Sequence, residues 1–252
     1  MTAPEPQFAA MLRLRYQPIV RLKDGEISHV EVLARILGRD GRLTGPKNLV
    51  AAMEHPDRAL GLTRTIMQRA LSEYKAQAFF ARRLPLAFNL PLNVLVHGGI
   101  MELIEAQREA HGLSTGLIRF ELTETQPVHD IKRVGASIAV LRDAGYQLAL
   151  DDIVPLTPFL MPLMGTAVSA VKLDRSVVVD ARPGAQNFIR GITRLAAGRL
   201  QDVVAEGIET TAQQARMLAL GVTHGQGFLF AKPLAVEKLA AWLPAGPTTP
   251  PS

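Results

Sequence analysis

Residues 118–152 read IRFELTETQPVHDIKRVGASIAVLRDAGYQLALDD. The apolar run Ile118 to Leu122 predicts a strand. Asp130 to Asp143 carries a helical period, and Gln147 to Leu150 predicts a second strand. Strand, helix and strand in this length make a parallel pair joined by a right-handed crossover. Each run also leads into acid, at Glu121 and then at Asp151-Asp152.

The same rhythm extends both ways. Leu12 to Leu22 predicts a strand, Asp24-Gly25 a hairpin turn, and Ile27 to Leu33 a second strand antiparallel to the first. Further strands are expected at Leu86 to Phe88, Ala170 to Leu173 and Asp202 to Ala205. Helices are expected at Arg58 to Ala81, Ile100 to His111, Ala185 to Arg199, Thr211 to Leu220 and Val236 to Trp242. About eight strands alternating with helices favour a closed, TIM-like (β/α)8 barrel, with an open doubly wound sheet as the alternative. The domain is expected over residues 11–243, after a lead-in at 1–10 and before a disordered Pro-rich tail at 244–252.

The chain has 252 residues, no cysteine, 48% hydrophobic residues and a formal charge of +5. Without cysteine there is no disulfide framework, thiolate metal site or cysteine nucleophile. The 28 cations are scattered with no run above two, which fits a solvated basic surface and no polymeric nucleic-acid partner. Ile153 to Val171 is uncharged over 19 residues, but Pro155, Pro158, Pro162 and Gly165 argue against a membrane span. Met1 to Ala10 shows no secretion signal. A cytoplasmic location is expected.

The strand ends carry the functional signal. Glu31, Asn89, Glu121, Asp151, Asp152, Lys172 and Glu206 each stand at or near the end of a predicted strand. In a barrel such positions face one mouth, where the chemistry of the fold takes place. Crowded carboxylates repel each other unless cations sit between them, and oxygen donors select Mg²⁺ or Mn²⁺. A two-cation carboxylate cage suits phosphate-ester hydrolysis. Neither GxxxxGK[ST] nor GxGxxG occurs, which excludes a P-loop enzyme and a classical dinucleotide binder. His29, His97 and His129 show no metal-ligand spacing.

These residues resemble the EAL family of cyclic di-GMP phosphodiesterases. The resemblance rests on Tyr16-Gln17-Pro18-Ile19-Val20, Glu31-Val32-Leu33, Phe88-Asn89-Leu90, Glu121-Leu122-Thr123-Glu124, Asp151-Asp152, Lys172-Leu173-Asp174, Ala205-Glu206-Gly207-Ile208-Glu209 and Gly225-Gln226-Gly227-Phe228, in order, from about Leu12 to Leu243. It implies a barrel whose first strand runs against the others, and hydrolysis of cyclic di-GMP to linear pGpG. It implies that Glu31, Asn89, Glu121 and Asp151 hold one cation, and Asp151 and Asp152 a second. Glu206 would act as general base or position the water, with Lys172 assisting. Gln17, Leu33, Arg35 and Gln226 would contact the dinucleotide, with Glu209 supporting that site and Glu124 supporting the loop after the paired aspartates.

That loop departs from the family pattern. Where the family has a glycine-rich stretch of the type DDFGTGYSSL, this chain has Asp151-Asp152-Ile153-Val154-Pro155-Leu156-Thr157-Pro158-Phe159-Leu160. Val154 and Leu156 replace glycines, so the backbone is expected to take another path. Two consequences are open: weakened or unregulated hydrolysis, or a catalytically poor receptor or scaffold. Leu156, Phe159, Leu160, Met161, Leu163 and Met164 are expected either to form a contact surface, for a homodimer or a protein partner, or to pack onto the barrel. A remoter reading is a metal-dependent lyase acting on a carboxylic acid.

Overall fold

The computed structural model describes residues 6–38, 40–45, 55–77, 82–123 and 130–243. Nine strands form one sheet: β1 (Leu12–Arg21), β2 (Ile27–Leu37), β3 (Leu43–Thr44), β4 (Leu86–Pro91), β5 (Ile118–Thr123), β6 (Gln147–Ile153), β7 (Ala170–Leu173), β8 (Asp202–Ala205) and β9 (His224–Gly225). The order is β1-β9-β8-β7-β6-β5-β4-β2-β3, and β1 also pairs with β2. That last pairing closes eight strands into a barrel and leaves β3 as an outer ribbon on β2. β1 is antiparallel to both β2 and β9, while β2 and β4 to β9 pair in parallel. The barrel and its reversed first strand match the expectation.

The eighth strand was not placed from sequence. His224–Gly225 is two residues long, too short to show a period, and pairs with β1 at Val20↔Gly225 and Arg21↔His224. The expected Arg58 to Ala81 helix is Pro56–Lys75, whose described C-cap is Ala76. Its first turn carries proline, suited to a position that needs no N–H. Short helices Leu160–Met164 and Arg175–Val179 were not anticipated. The tail at 244–252, Glu124 and His129 lie outside the described residues. Among the described residues no helix is long and apolar enough to cross a membrane.

Side-chain alternation explains how one strand serves two environments. In β5, Ile118, Phe120 and Leu122 are buried beneath the helices, whereas Arg119 and Glu121 point into the barrel. Phe120 makes an edge contact with Tyr146 at 5.6 Å between ring centroids, which fixes the outward face. A one-residue slip would exchange these two sets, so burial of the outer face sets the orientation of the acids.

Candidate active site

Lys172 stands at the centre of the site and is 1% exposed. Its Nζ lies 2.7 Å from Glu121 Oε2, 2.9 Å from Asp151 Oδ1, 2.6 Å from Glu206 Oε1 and 3.8 Å from Glu31 Oε2. These groups come from β2, β5, β6 and β7 and from the residue that follows β8. Glu31 is held on both oxygens: Asn89 Nδ2 donates to Oε1 at 2.9 Å, and Gln226 Nε2 to Oε2 at 2.7 Å. Gln226 also donates to Gln17 Oε1 at 3.2 Å, and Gln17 Nε2 donates to the Ala231 carbonyl at 3.0 Å. The amides thus orient a buried carboxylate, and Asn89 keeps its carbonyl oxygen for another partner.

The electrostatics follow from burial and charge. Burial opposes the ammonium of Lys172, but Asp151, Glu121 and Glu206 outweigh it and raise its pKa well above the ordinary value. Burial raises Glu206 to about 8, with Asp151 and Glu31 adding to the effect and Lys172 opposing it. Burial pushes Glu121 well up too. Burial also acts on Glu31, but Lys172, Gln226 and Asn89 prevail and hold its pKa below the usual value. Asp152, raised to about 6 by burial and by Asp151, lies outside the Lys172 contacts.

One ammonium cannot neutralise five carboxylates. Asp151, Asp152 and Glu206 offer ligand oxygens all within 4.8 Å of one another. Glu121 Oε1 is buried with no hydrogen-bond partner among the described residues. This all-oxygen donor set fits hard divalent cations.

Local backbone features aim these groups. The β6–β7 register shifts between Leu150 and Ile153, a bulge that places both aspartates at the mouth. Asp152 adopts φ 54°, a left-handed conformation that costs of order 1–3 kcal/mol. Gly227, at φ 154°, sits where an added Cβ would lie 2.1 Å from the Ile208 carbonyl oxygen. Only glycine lets the Gln226 segment pass this close to the segment carrying Glu206 and Glu209.

The loop between β6 and the short helix Leu160–Met164 covers residues 154–159. Positive φ falls on Asp152 and Phe159, and neither Val154 nor Leu156 adopts it. Thr157 closes a turn: its Oγ1 accepts from Val154 N at 2.8 Å, and its N–H donates to the Val154 carbonyl at 3.0 Å. The expected apolar surface divides. Leu160, Leu163 and Met164 are buried, while Leu156 is 90% exposed and Phe159 and Met161 about half. The solvent-facing set is therefore three residues and not six, because the short helix turns the other three onto the barrel.

A cleft of about 410 Å³ opens beside the acids. Its walls include Gln17, Leu33, Arg35, Glu209 and Gln226, so the proposed dinucleotide contacts share one cavity with Glu31, Asp151, Asp152 and Glu206. Glu209 is paired with Arg175 at 2.8 Å. Arg175 and Phe228 also line the cleft and were missed as site residues. Arg175 lies one residue beyond Lys172-Leu173-Asp174, and Phe228 closes the quoted Gly225-Gln226-Gly227-Phe228, so position in a motif was the available signal. His29, set aside from sequence, is buried in the barrel below the acids, 3.1 Å from Arg119 Nη1.

Comparison with known proteins agrees with this geometry. Residues 8–233 match the EAL domain family model. The cyclic di-GMP phosphodiesterase NbdA of Pseudomonas aeruginosa is 29% identical, over 93% of this chain and 30% of its own length. The probable cyclic di-GMP phosphodiesterase PdeB of Escherichia coli is 31% identical, over 91% of this chain and 44% of its own. The chain thus spans less than half the length of these relatives. Among solved structures, the EAL enzyme Bd1971 with cAMP and cyclic di-GMP bound aligns with a TM-score of 0.84 and 26% identity, over 93% of this chain and 65% of that one. The EAL domain of Mycobacterium smegmatis DcpA gives 0.75 and 26%, over 93% and 96%. With a family match covering the barrel from its first strand past its last, the chain belongs to the EAL domain family.

Proposed function

We propose that this chain hydrolyses cyclic di-GMP to linear pGpG with two Mg²⁺ or Mn²⁺ ions. The observation that carries the reading is the convergence of four carboxylates on Lys172, with Asp152 close by, beside a cleft of about 410 Å³. Names of relatives matched across the barrel supply the substrate class. Glu31, Asn89, Glu121 and Asp151 would hold one ion, and Asp151 with Asp152 the other. When bound, such ions polarise a phosphoryl oxygen and supply hydroxide at neutral pH.

The residues of the chain do the remaining work. Glu206, beside Asp151 and Asp152 at the cleft, accepts a proton from the attacking water. Oxygen attacks phosphorus, the P–O3′ bond breaks, and the products are a 5′-phosphate and a 3′-hydroxyl on one linear dinucleotide. Lys172 keeps Glu206 oriented through its 2.6 Å contact. Gln17, Leu33, Arg35, Gln226 and Glu209 position the ligand in the cleft.

A receptor with poor turnover is the second reading. It is favoured by the loop after Asp152, where two prolines and a hydrogen-bonded turn stiffen the segment next to the second ion's ligands. Incubating the protein with cyclic di-GMP and Mn²⁺, with Glu31→Ala and Glu206→Ala as controls, separates the two. Linear product that disappears in both variants supports the hydrolase. Binding without product supports the receptor. The exposed Leu156, Phe159 and Met161 are a proposed contact face for a second copy or a protein partner. Met161→Glu tests it: an unchanged assembly state and no lost partner reject it.

A further inference from the structure

We propose that Arg15, flanked by Arg13 and Arg35, holds the phosphodiester of the dinucleotide that is not being cleaved. This rests on the hydrolase or receptor reading of the cleft and adds a binding residue to it. In the β1–β2 ladder Gln17 stands opposite Glu31, Arg15 opposite Leu33 and Arg13 opposite Arg35. Directly opposed residues project from the same face. Gln17, Glu31, Leu33 and Arg35 all line the cleft. The alternate residues Leu12, Leu14 and Tyr16 are buried on the other face, and Tyr16 Oη donates to Glu73 there at 2.7 Å. Arg13 and Arg15 therefore share that face, further along the ribbon than the acids and just beyond the residues that line the cleft.

The charges on this ribbon are segregated. Glu31 and Arg35 are four residues apart on β2, about 13 Å at the usual rise of a strand. Acids occupy one end of that span, and guanidinium groups the other. Among the described residues no carboxylate lies within 4.0 Å of Arg13, Arg15 or Arg35. Arg15 Nη1 donates to the Leu14 carbonyl at 2.8 Å, and Arg35 Nη1 to the Ala34 carbonyl at 2.8 Å. Arg13 Nη1 donates to the Ala10 carbonyl at 2.7 Å. Each planar guanidinium keeps further N–H donors. Burial and the nearby Arg15 charge both disfavour the Arg35 cation, with Glu31 acting the other way. Glu31 acts on Arg35 and Glu73 feels the Arg15 charge, but neither guanidinium is ion-paired among the described residues, and guanidinium groups bind phosphate oxygens bidentately. A cyclic dinucleotide carries two phosphodiesters. The cation end takes one while the acid end, with its ions, takes the other.

Equilibrium binding of cyclic di-GMP tests this, with Ca²⁺ present, over a roughly tenfold range of KCl. Guanosine 5′-monophosphate, which has a single phosphate, is the comparison ligand. Arg15→Gln is expected to raise Kd for cyclic di-GMP about tenfold, and Arg13→Gln/Arg15→Gln further, with a shallower salt dependence and GMP binding unchanged. Arg15→Lys should recover part of the loss. Under Mn²⁺, KM should rise while kcat stays within about twofold. Unchanged Kd in Arg15→Gln, or equal weakening of GMP, overturns the arginine subsite. Failure of the unsubstituted protein to bind cyclic di-GMP overturns the reading of the cleft, and the subsite with it.

Discussion

Lys172 Nζ and Glu206 Oε1 are 2.6 Å apart, inside a barrel mouth where the lysine is almost wholly shielded from water. The contact joins the end of β7 to the residue that follows β8, and it holds the ammonium where Glu121 and Asp151 also reach it. A buried charge survives when it is paired, and here each partner is the other's counter-ion.

Removing the cation exposes that dependence. Lys172→Met should lower the stability of the metal-free protein by about 3–5 kcal/mol, the usual cost of leaving buried charges unpaired. Urea unfolding measures it. Mn²⁺ should return part of the loss. A variant as stable as the parent without metal would show that Lys172 does not neutralise the cluster.

The acids give the metal-free protein an unusual pH response. Glu206 at about 8 and Asp152 at about 6 both lie above the ordinary carboxylate range. A raised carboxyl pKa means that the folded state holds the proton more tightly than the unfolded chain. The resulting stability is complete below the ordinary value and is lost as pH rises through about 6 and then about 8. Tm in a chelator should therefore fall between those points, and added Mn²⁺ should flatten the decline. A chelated Tm that climbs over this window contradicts the assignment.

Asp152 combines a proposed metal-ligand role with backbone strain. Asp152→Gly relieves the left-handed conformation at φ 54°, whereas Asp152→Ala keeps a Cβ there. The glycine variant should be more stable than the alanine variant by about 1 kcal/mol. Both should bind Mn²⁺ more weakly than the parent, which titration calorimetry reads. Equal stability of the two would place the strain elsewhere.

Gly227 is expected to tolerate nothing larger. A Cβ 2.1 Å from the Ile208 carbonyl oxygen forces the two site segments apart. Gly227→Ala should cost about 2 kcal/mol or more by thermal unfolding, and it should weaken cyclic di-GMP binding because Gln226 shifts. Gly184, in the helix Pro183–Ala197, has nothing within 4 Å of the added atom, and Gly184→Ala should change neither measurement.

The sequence by itself determined the alternation of strands and helices, the Asp24-Gly25 hairpin and the polar or charged residue at the end of strand after strand. These are local: a period of two or of 3.6, a turn dipeptide and a residue's place along its own strand can be read without neighbours. Glu31, Glu121, Asp151 and Glu206 were legible as site residues for that reason. Tertiary structure alone decided the rest. The closing pair His224–Gly225 is too short for any period and exists because β1 and β8 lie on either side of it. The burial of Leu160, Leu163 and Met164, with Leu156 left in water, depends on a turn and a left-handed Phe159 that reorient one short helix. That Lys172 meets four carboxylates, and that Arg15 shares a ribbon face with Glu31, follows from register across the closed barrel, a relation between distant segments that no single stretch of chain contains.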